Sequence, residues 1–232
     1  MAKSPSIPHV QETGHKRVTV HNSHGEELVG VLHETNSPEL VIICHGFKSS
    51  KDRIPMVNLA AAFEKEGISA FRFDFAGNGE SEGSFQYGNY RREADDLRAV
   101  VEHFHEEKHF IAAIVGHSKG RLEYRVTEES LMDRLTTDTR GACQSIPKSC
   151  RVLTIHGTMD EMVPVEDAME FAKNVPNHKL HIIEGADHEF TSHQDELASV
   201  VVAFVKEGLC VSYMAMPSES CKRRSGYIHS RF

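Results

Sequence analysis

The chain has 232 residues, the length of one large domain or two small ones. Apolar residues make up 39% and charged residues 26%, which suits a globular core and excludes wholesale disorder. The formal net charge of −8 argues against nucleic acid as a partner, because phosphate contacts need clustered Lys and Arg; no apolar run reaches the roughly 18 residues of a membrane span.

Residues 1–14 contain no apolar stretch of signal-peptide type. Five cysteines (Cys44, Cys143, Cys150, Cys210 and Cys221) are scattered without zinc-like spacing. Reduced thiols in a cytoplasmic protein without metal are expected. His103, His105 and His109 crowd one helix end among Glu102, Glu106, Glu107 and Lys108, and read as a solvated charged face rather than a metal site.

In chain order, residues 17–33 alternate apolar and polar around Asn22-Ser23-His24-Gly25, which predicts a β-hairpin. Leu40 to Cys44 is a continuous apolar run of the buried parallel-strand type. Met56 to Glu66 is helix-periodic, with Pro55 near its start and Gly67 after its end. A strand over Ser69–Phe73, a helix over Tyr90–His105 and a strand over Phe110–Val115 follow. Then come a strand over Arg151–Ile155, a helix over Val165–Lys173, a strand over Lys179–Ile183 and a helix over Asp195–Glu207. Alternating strands and helices predict an α/β fold. Its sheet should be mostly parallel, with helices on both faces and an antiparallel N-terminal hairpin. The expected organisation is a disordered N-terminus over 1–16, one domain over 17–208 and a disordered tail over 209–232. The closing Ser230-Arg231-Phe232 departs from a peroxisomal address at Phe232.

Gly116-His117-Ser118-Lys119-Gly120 fits G-x-S-x-G and directly follows an apolar strand. Nucleophile elbows occupy that context, because flanking glycines let chain pass close to a strained turn. A glycine-rich turn with an incidental serine is the alternative. A serine hydroxyl also needs a base, and the base needs an orienting carboxylate. Asp160 follows the strand ending at Ile155, with Glu161 and Asp167 as rival carboxylates. His188, one of sixteen histidines, follows the strand ending at Ile183. Ser118, Asp160 and His188 thus share one sheet edge, in the chain order of α/β-hydrolases. An oxyanion hole needs two backbone N–H donors, assigned to Lys119 and to Phe47 in the turn after Cys44.

Five segments together resemble the α/β-hydrolase superfamily, in its serine-aminopeptidase-like, monoglyceride-lipase-like and cinnamoyl-esterase-like branch of plant type. They are His45-Gly46-Phe47, Asp74 to Ser81, Gly116 to Gly120, His156 to Asp160 with Val163-Pro164, and Gly185 to His188. Asn78 stands where the family often has His. The resemblance spans residues 17–208 and implies an acyl-enzyme mechanism on a small-molecule ester, amide or other acyl substrate, without a cofactor. It assigns Ser118 as nucleophile, His188 as base, Asp160 as orienting carboxylate, and Phe47 and Lys119 as oxyanion donors.

Only 32 residues, 119–150, separate Ser118 from Arg151. The family places a buried helix, a further strand, a lid and another helix there, whereas 32 residues allow one crossover. Arg121, Glu123 and Arg125 stand where an apolar elbow helix is expected. One strand, one helix and part of the lid are therefore expected to be missing between Gly120 and Leu122. The helix-start pattern Thr127-Glu128-Glu129-Ser130 marks where the lid segment resumes. Such a loss would displace Asp160 and His188 from Ser118 by about one strand spacing, ~4.8 Å. Three readings follow: a serine esterase or lipase, a truncated non-catalytic form of one, or a hydrolase-fold ligand-binding protein.

Overall fold

The structure is a computed structural model that describes residues 14–117, Thr136 and residues 138–214. It opens on the expected hairpin, β1 (His15–His21) and β2 (Glu27–His33), paired antiparallel. Asn22 makes the turn: its Oδ1 accepts the N–H groups of His24 and Glu26, while Gly25 takes the left-handed φ of +79°.

β3 (Glu39–Cys44), α1 (Ile54–Lys65), β4 (Ser69–Phe73), α2 (Tyr90–Glu106) and β5 (Phe110–Gly116) follow. The strand order is β1-β2-β4-β3-β5, with β3 parallel to both β4 and β5, and β2 antiparallel to β4. Strands β3 and β4 are buried at every residue, as a strand covered on both faces must be.

Beyond the region 118–135 come a short helix α3 (Thr139–Ser145), β6 (Val152–Gly157), α4 (Val165–Asn174), β7 (His178–Ile183) and α5 (Gln194–Met214). The predicted elements recur within a few residues at each end, except that α5 runs on through Leu209 to Met214, which were assigned to the tail. Leu209 packs against the core, so the helix has apolar contact to continue on. Residues 1–13 and 215–232 lie outside the described residues. So do Ser118, Lys119, the expected junction after Gly120 and the helix start at Thr127.

The sheet is not continuous. β6 and β7 form a separate parallel pair, and no strand pairing joins β6 to β5. Strand β5 is consequently exposed for a strand at mid-fold: Ile114 keeps 53% of its accessible surface and Phe110 41%. This is the vacancy that the shortage of residues between Ser118 and Arg151 implies.

Two apolar cores flank the larger sheet. One combines Val41 and Ile43 with Met56 and Phe63 of α1 and Val201 and Val205 of α5; it also takes in Ile183 at the end of β7. The other joins Leu40, Ile42, Phe71 and Phe73 to Val100 and Phe104 of α2. Because α5 packs on α1, β5 and β6 alike, the first core holds the β6–β7 pair to the rest. Lys206–Glu66 at 2.6 Å and Asn58–Gln194 at 3.2 Å tie the same helices at their rims.

Candidate active site

Three described loops, after β3, β6 and β7, meet beside His117 at the end of β5. The first follows β3. His45 is fully buried and makes two hydrogen bonds there. Its Nε2 accepts the Phe75 N–H at 3.1 Å, which leaves the proton on Nδ1 to donate to the Gly46 carbonyl at 2.8 Å. In a trans peptide the C=O and N–H point opposite ways. The Gly46–Phe47 amide therefore turns its N–H away from His45, and that N–H bonds no described residue. Lys48 completes the turn in the left-handed region at φ +46°.

Beneath this loop lies the Asp74–Ser81 turn. Asp74 is fully buried and accepts the Lys51 N–H on Oδ1, and Lys51 Nζ and the Glu80 N–H on Oδ2. Burial pushes the Lys51 ammonium down, but its bonds to Asp74 and Glu80 outweigh burial and raise it above the ordinary lysine value. Gly79 sits at φ +50°, and a Cβ there would lie 2.1 Å from Asp74 Oδ2. Glycine is thus required by both backbone and space. Asn78, where the family often has His, donates to the Phe75 and Ala76 carbonyls and fits the turn without distortion.

Asp160 and His188 come together. Asp160 Oδ2 accepts from His188 Nδ1 at 2.8 Å, and both side chains are nearly buried. Asp160 Oδ1 accepts the N–H groups of Met162 at 2.8 Å and Val163 at 2.9 Å. Burial pushes the carboxyl up, but the Val163, His188 and Met162 donors win and hold it below the usual carboxylate range. The rivals Glu161 and Asp167 make no such bond to His188. The two loops are also joined by backbone: Met159 N–H donates to Ala186 O at 2.9 Å, and Gly185 N–H to Thr158 Oγ1 at 2.8 Å. Gly157 allows this approach, since a Cβ on it would lie 2.2 Å from Ala186 O.

Two further histidines were not singled out in the sequence. His117, immediately before Ser118, donates from Nε2 to the His188 carbonyl at 3.2 Å. Burial pushes its imidazole down, keeping it neutral with one proton to give. This bond ties the end of β5 to the His188 loop across the opening between the sheets. His188 is thereby held beside the residue preceding Ser118, although the strands below diverge. His156 donates to Val163 O at 2.9 Å and lies 3.4 Å from Asp160 Oδ2. The available signal for both was position: each directly adjoins a strand end already singled out.

No histidine at the end of α2 joins a metal-like cluster among the described residues; His15, His33 and Glu64 bring their ligand atoms within 4.8 Å of one another. Arg72 Nε donates to His33 Nε2 at 3.1 Å, so His33 Nδ1 carries the proton and donates to Glu64 at 2.9 Å. A proton already occupies the direction a cation would need. The cluster reads as a hydrogen-bond network.

Comparison with known proteins agrees with this architecture. Residues 35–122 match the serine aminopeptidase family, S33, and the match ends where the internal block was expected to be missing. No curated protein sequence matches the chain. An esterase from Butyrivibrio proteoclasticus with ferulic acid bound is similar in structure at TM-score 0.73 and 19% identity, over 83% of this chain and 99% of that one. An esterase from Pyrococcus furiosus is similar at TM-score 0.71 and 20% identity, over 90% and 96%. An α/β serine hydrolase without a lid from Xanthomonas campestris is similar at TM-score 0.65 and 21% identity, over 92% and 100%. The chain carries the α/β-hydrolase fold, and its residues 35–122 are similar to the serine aminopeptidase family.

Proposed function

We propose that the chain is a serine hydrolase acting on a small carboxylic ester through an acyl-enzyme intermediate. The observation that carries this is the Asp160–His188 hydrogen bond at the carboxyl ends of β6 and β7, with the His188 loop bonded to His117. Asp160 takes His188 Nδ1, which leaves Nε2 for the Ser118 hydroxyl. Ser118 Oγ adds to the ester carbonyl carbon while its proton passes to His188 Nε2. The free Phe47 N–H and the Lys119 N–H stabilise the oxyanion. Collapse expels the alkoxide, which takes the proton from His188. Water then adds to the acyl-Ser118 carbonyl, its proton again going to His188; collapse breaks the bond to Ser118 Oγ, which takes that proton back from His188 Nε2 as the acid leaves. No cofactor takes part. Ester rather than amide is favoured because two of the structural neighbours are esterases. A cytoplasmic location is favoured by the free thiols of Cys44, Cys143, Cys150 and Cys210.

A second reading is supported by the opening between β5 and β6: a form of such a hydrolase that folds without turning over. Hydrolysis of p-nitrophenyl butyrate separates the two. The first reading expects turnover that Ser118→Ala and His188→Ala each reduce by at least about a thousandfold. Absence of turnover from a chain that melts cooperatively would establish the second.

A further inference from the structure

Asp160 and His188 belong to the loops after β6 and β7, and backbone bonds between those loops make them one unit. Ser118 follows β5 in the sequence, and among the described residues no strand pairing joins β5 to β6. In a continuous sheet the ladders fix how far one strand end lies from another, because neighbouring strands keep a spacing of about 4.8 Å. Here that constraint is absent at the step between the base and the nucleophile.

The carbonyls of the His188 loop show what takes its place. Asp187 O accepts the Phe190 N–H at 3.1 Å. Glu189 O accepts from Gln194 Nε2 at 2.8 Å, and Phe190 O accepts from Gln194 Nε2 at 3.0 Å and from the His193 N–H at 2.9 Å. Those donors belong to the loop itself or to the start of α5. His188 O, in the middle of the run, turns to the other sheet and accepts from His117 Nε2 at 3.2 Å. Buried Phe190 holds the left-handed φ of +53°, which an aromatic residue adopts only where its surroundings impose it.

The donor is rooted in the larger sheet. His117 N–H donates to Cys44 O at 3.0 Å, which continues the β3–β5 ladder by one residue. A carbonyl only accepts, so Nε2 of the half-buried His117 carries the proton. Its ring centroid lies 5.5 Å from that of His188. One chain of bonds therefore runs from β3 through His117 to the main chain of His188, and from the His188 ring to Asp160 at 2.8 Å. Arg53 and Glu189 also cross between the units, at 3.6 Å, but both side chains are exposed, and such pairs hold weakly.

We infer that His117 is a positioning residue: its imidazole sets the distance of His188 from the end of β5, in place of the strand ladder that is absent between β5 and β6. Its effect on turnover rests on the serine-hydrolase reading, and is exerted through the placement of His188. A shift of about 1 Å between base and nucleophile costs roughly a hundredfold in rate. Ester binding does not depend on that distance, so the loss falls on kcat and leaves KM in place.

The test compares three substitutions in the full chain. His117→Leu fills the space without a donor. His117→Gln carries an amide N–H to the place of Nε2, and His117→Asn carries one that falls short of it. With p-nitrophenyl butyrate, kcat should fall about a hundredfold in the Leu and Asn variants with KM within about twofold, and return to within about fivefold of wild type in the Gln variant. Amide hydrogen exchange reads the tether without turnover. Residues 184–193 should exchange at least about tenfold faster in the Leu and Asn variants and at the wild-type rate in the Gln variant, while β3 stays protected. If His117→Leu fails to fold, the Asn and Gln variants decide alone. Unchanged exchange over 184–193 without the donor, or a Gln variant no better than the Asn variant, would overturn the tether. So would an active wild type whose kcat survives loss of the donor. The expected exchange pattern in a chain without turnover supports the tether and contradicts the serine-hydrolase reading instead.

Discussion

At the Asp160 carboxylate the two oxygens have separate tasks. Oδ1 is fixed by the Met162 and Val163 amides, which orients the group, and Oδ2 is left to His188. A carboxylate held this way stays ionised across the neutral range, so His188 keeps its proton on Nδ1. Asp160→Asn preserves the shape but can turn an N–H toward His188 and favour the wrong tautomer. We expect kcat for p-nitrophenyl butyrate to fall by about 10⁴-fold with little change in melting temperature. A change of less than tenfold would mean that another group orients His188. His45 works at the same scale: two hydrogen bonds from one buried imidazole set which way the Gly46–Phe47 amide faces.

At the scale of elements, the Asp74–Ser81 turn shows how tightly the loops under the site are built. Gly79→Ala would force a Cβ into the Asp74 carboxylate at a left-handed backbone position. It should lower stability by about 1–3 kcal/mol, measured as the shift of a urea midpoint at unchanged slope. An unshifted midpoint would contradict the geometry. Most elements were legible in the sequence because their periods are clean. Ser69–Phe73 is found at its expected bounds, and α2 carries Val100 and Phe104 on one buried face. Asp160 and His188 were legible because each follows a strand end. The roles of His45, His117 and His156 were not, since a histidine gains its meaning from partners far away in the chain. The divided sheet was legible only as arithmetic: 32 residues could not supply the missing crossover, but spacing alone could not say whether β6 would close on β5. It stays apart because α5 packs against α1 and β5 as well as β6, filling the floor without closing the gap.

Across the whole molecule, buried imidazoles set the response to acid. Burial holds His33, His117 and His178 below the ordinary histidine value. Below about pH 6.5 the unfolded chain therefore binds more protons than the folded one, and stability falls as pH drops through that window. Asp52, Glu64 and Asp160 are held low despite burial, by Arg72 and Lys51, by His33 and His15, and by the Val163 amide and His188 respectively. They add a second loss once the pH falls below about 4. The melting temperature at about 0.15 M salt, where the surface charge is screened, should be lower at pH 5.5 than at pH 7.5; an equal or higher value would contradict this. The divided sheet makes one question decisive for the molecule: whether the loops at the strand ends still assemble a working nucleophile. The most direct measurement is labelling by a fluorophosphonate probe, located by mass spectrometry of the digested chain. Covalent modification of Ser118 is expected, abolished in Ser118→Ala and strongly slowed in His188→Ala. An unlabelled wild-type chain, or one labelled equally well after either substitution, would contradict it.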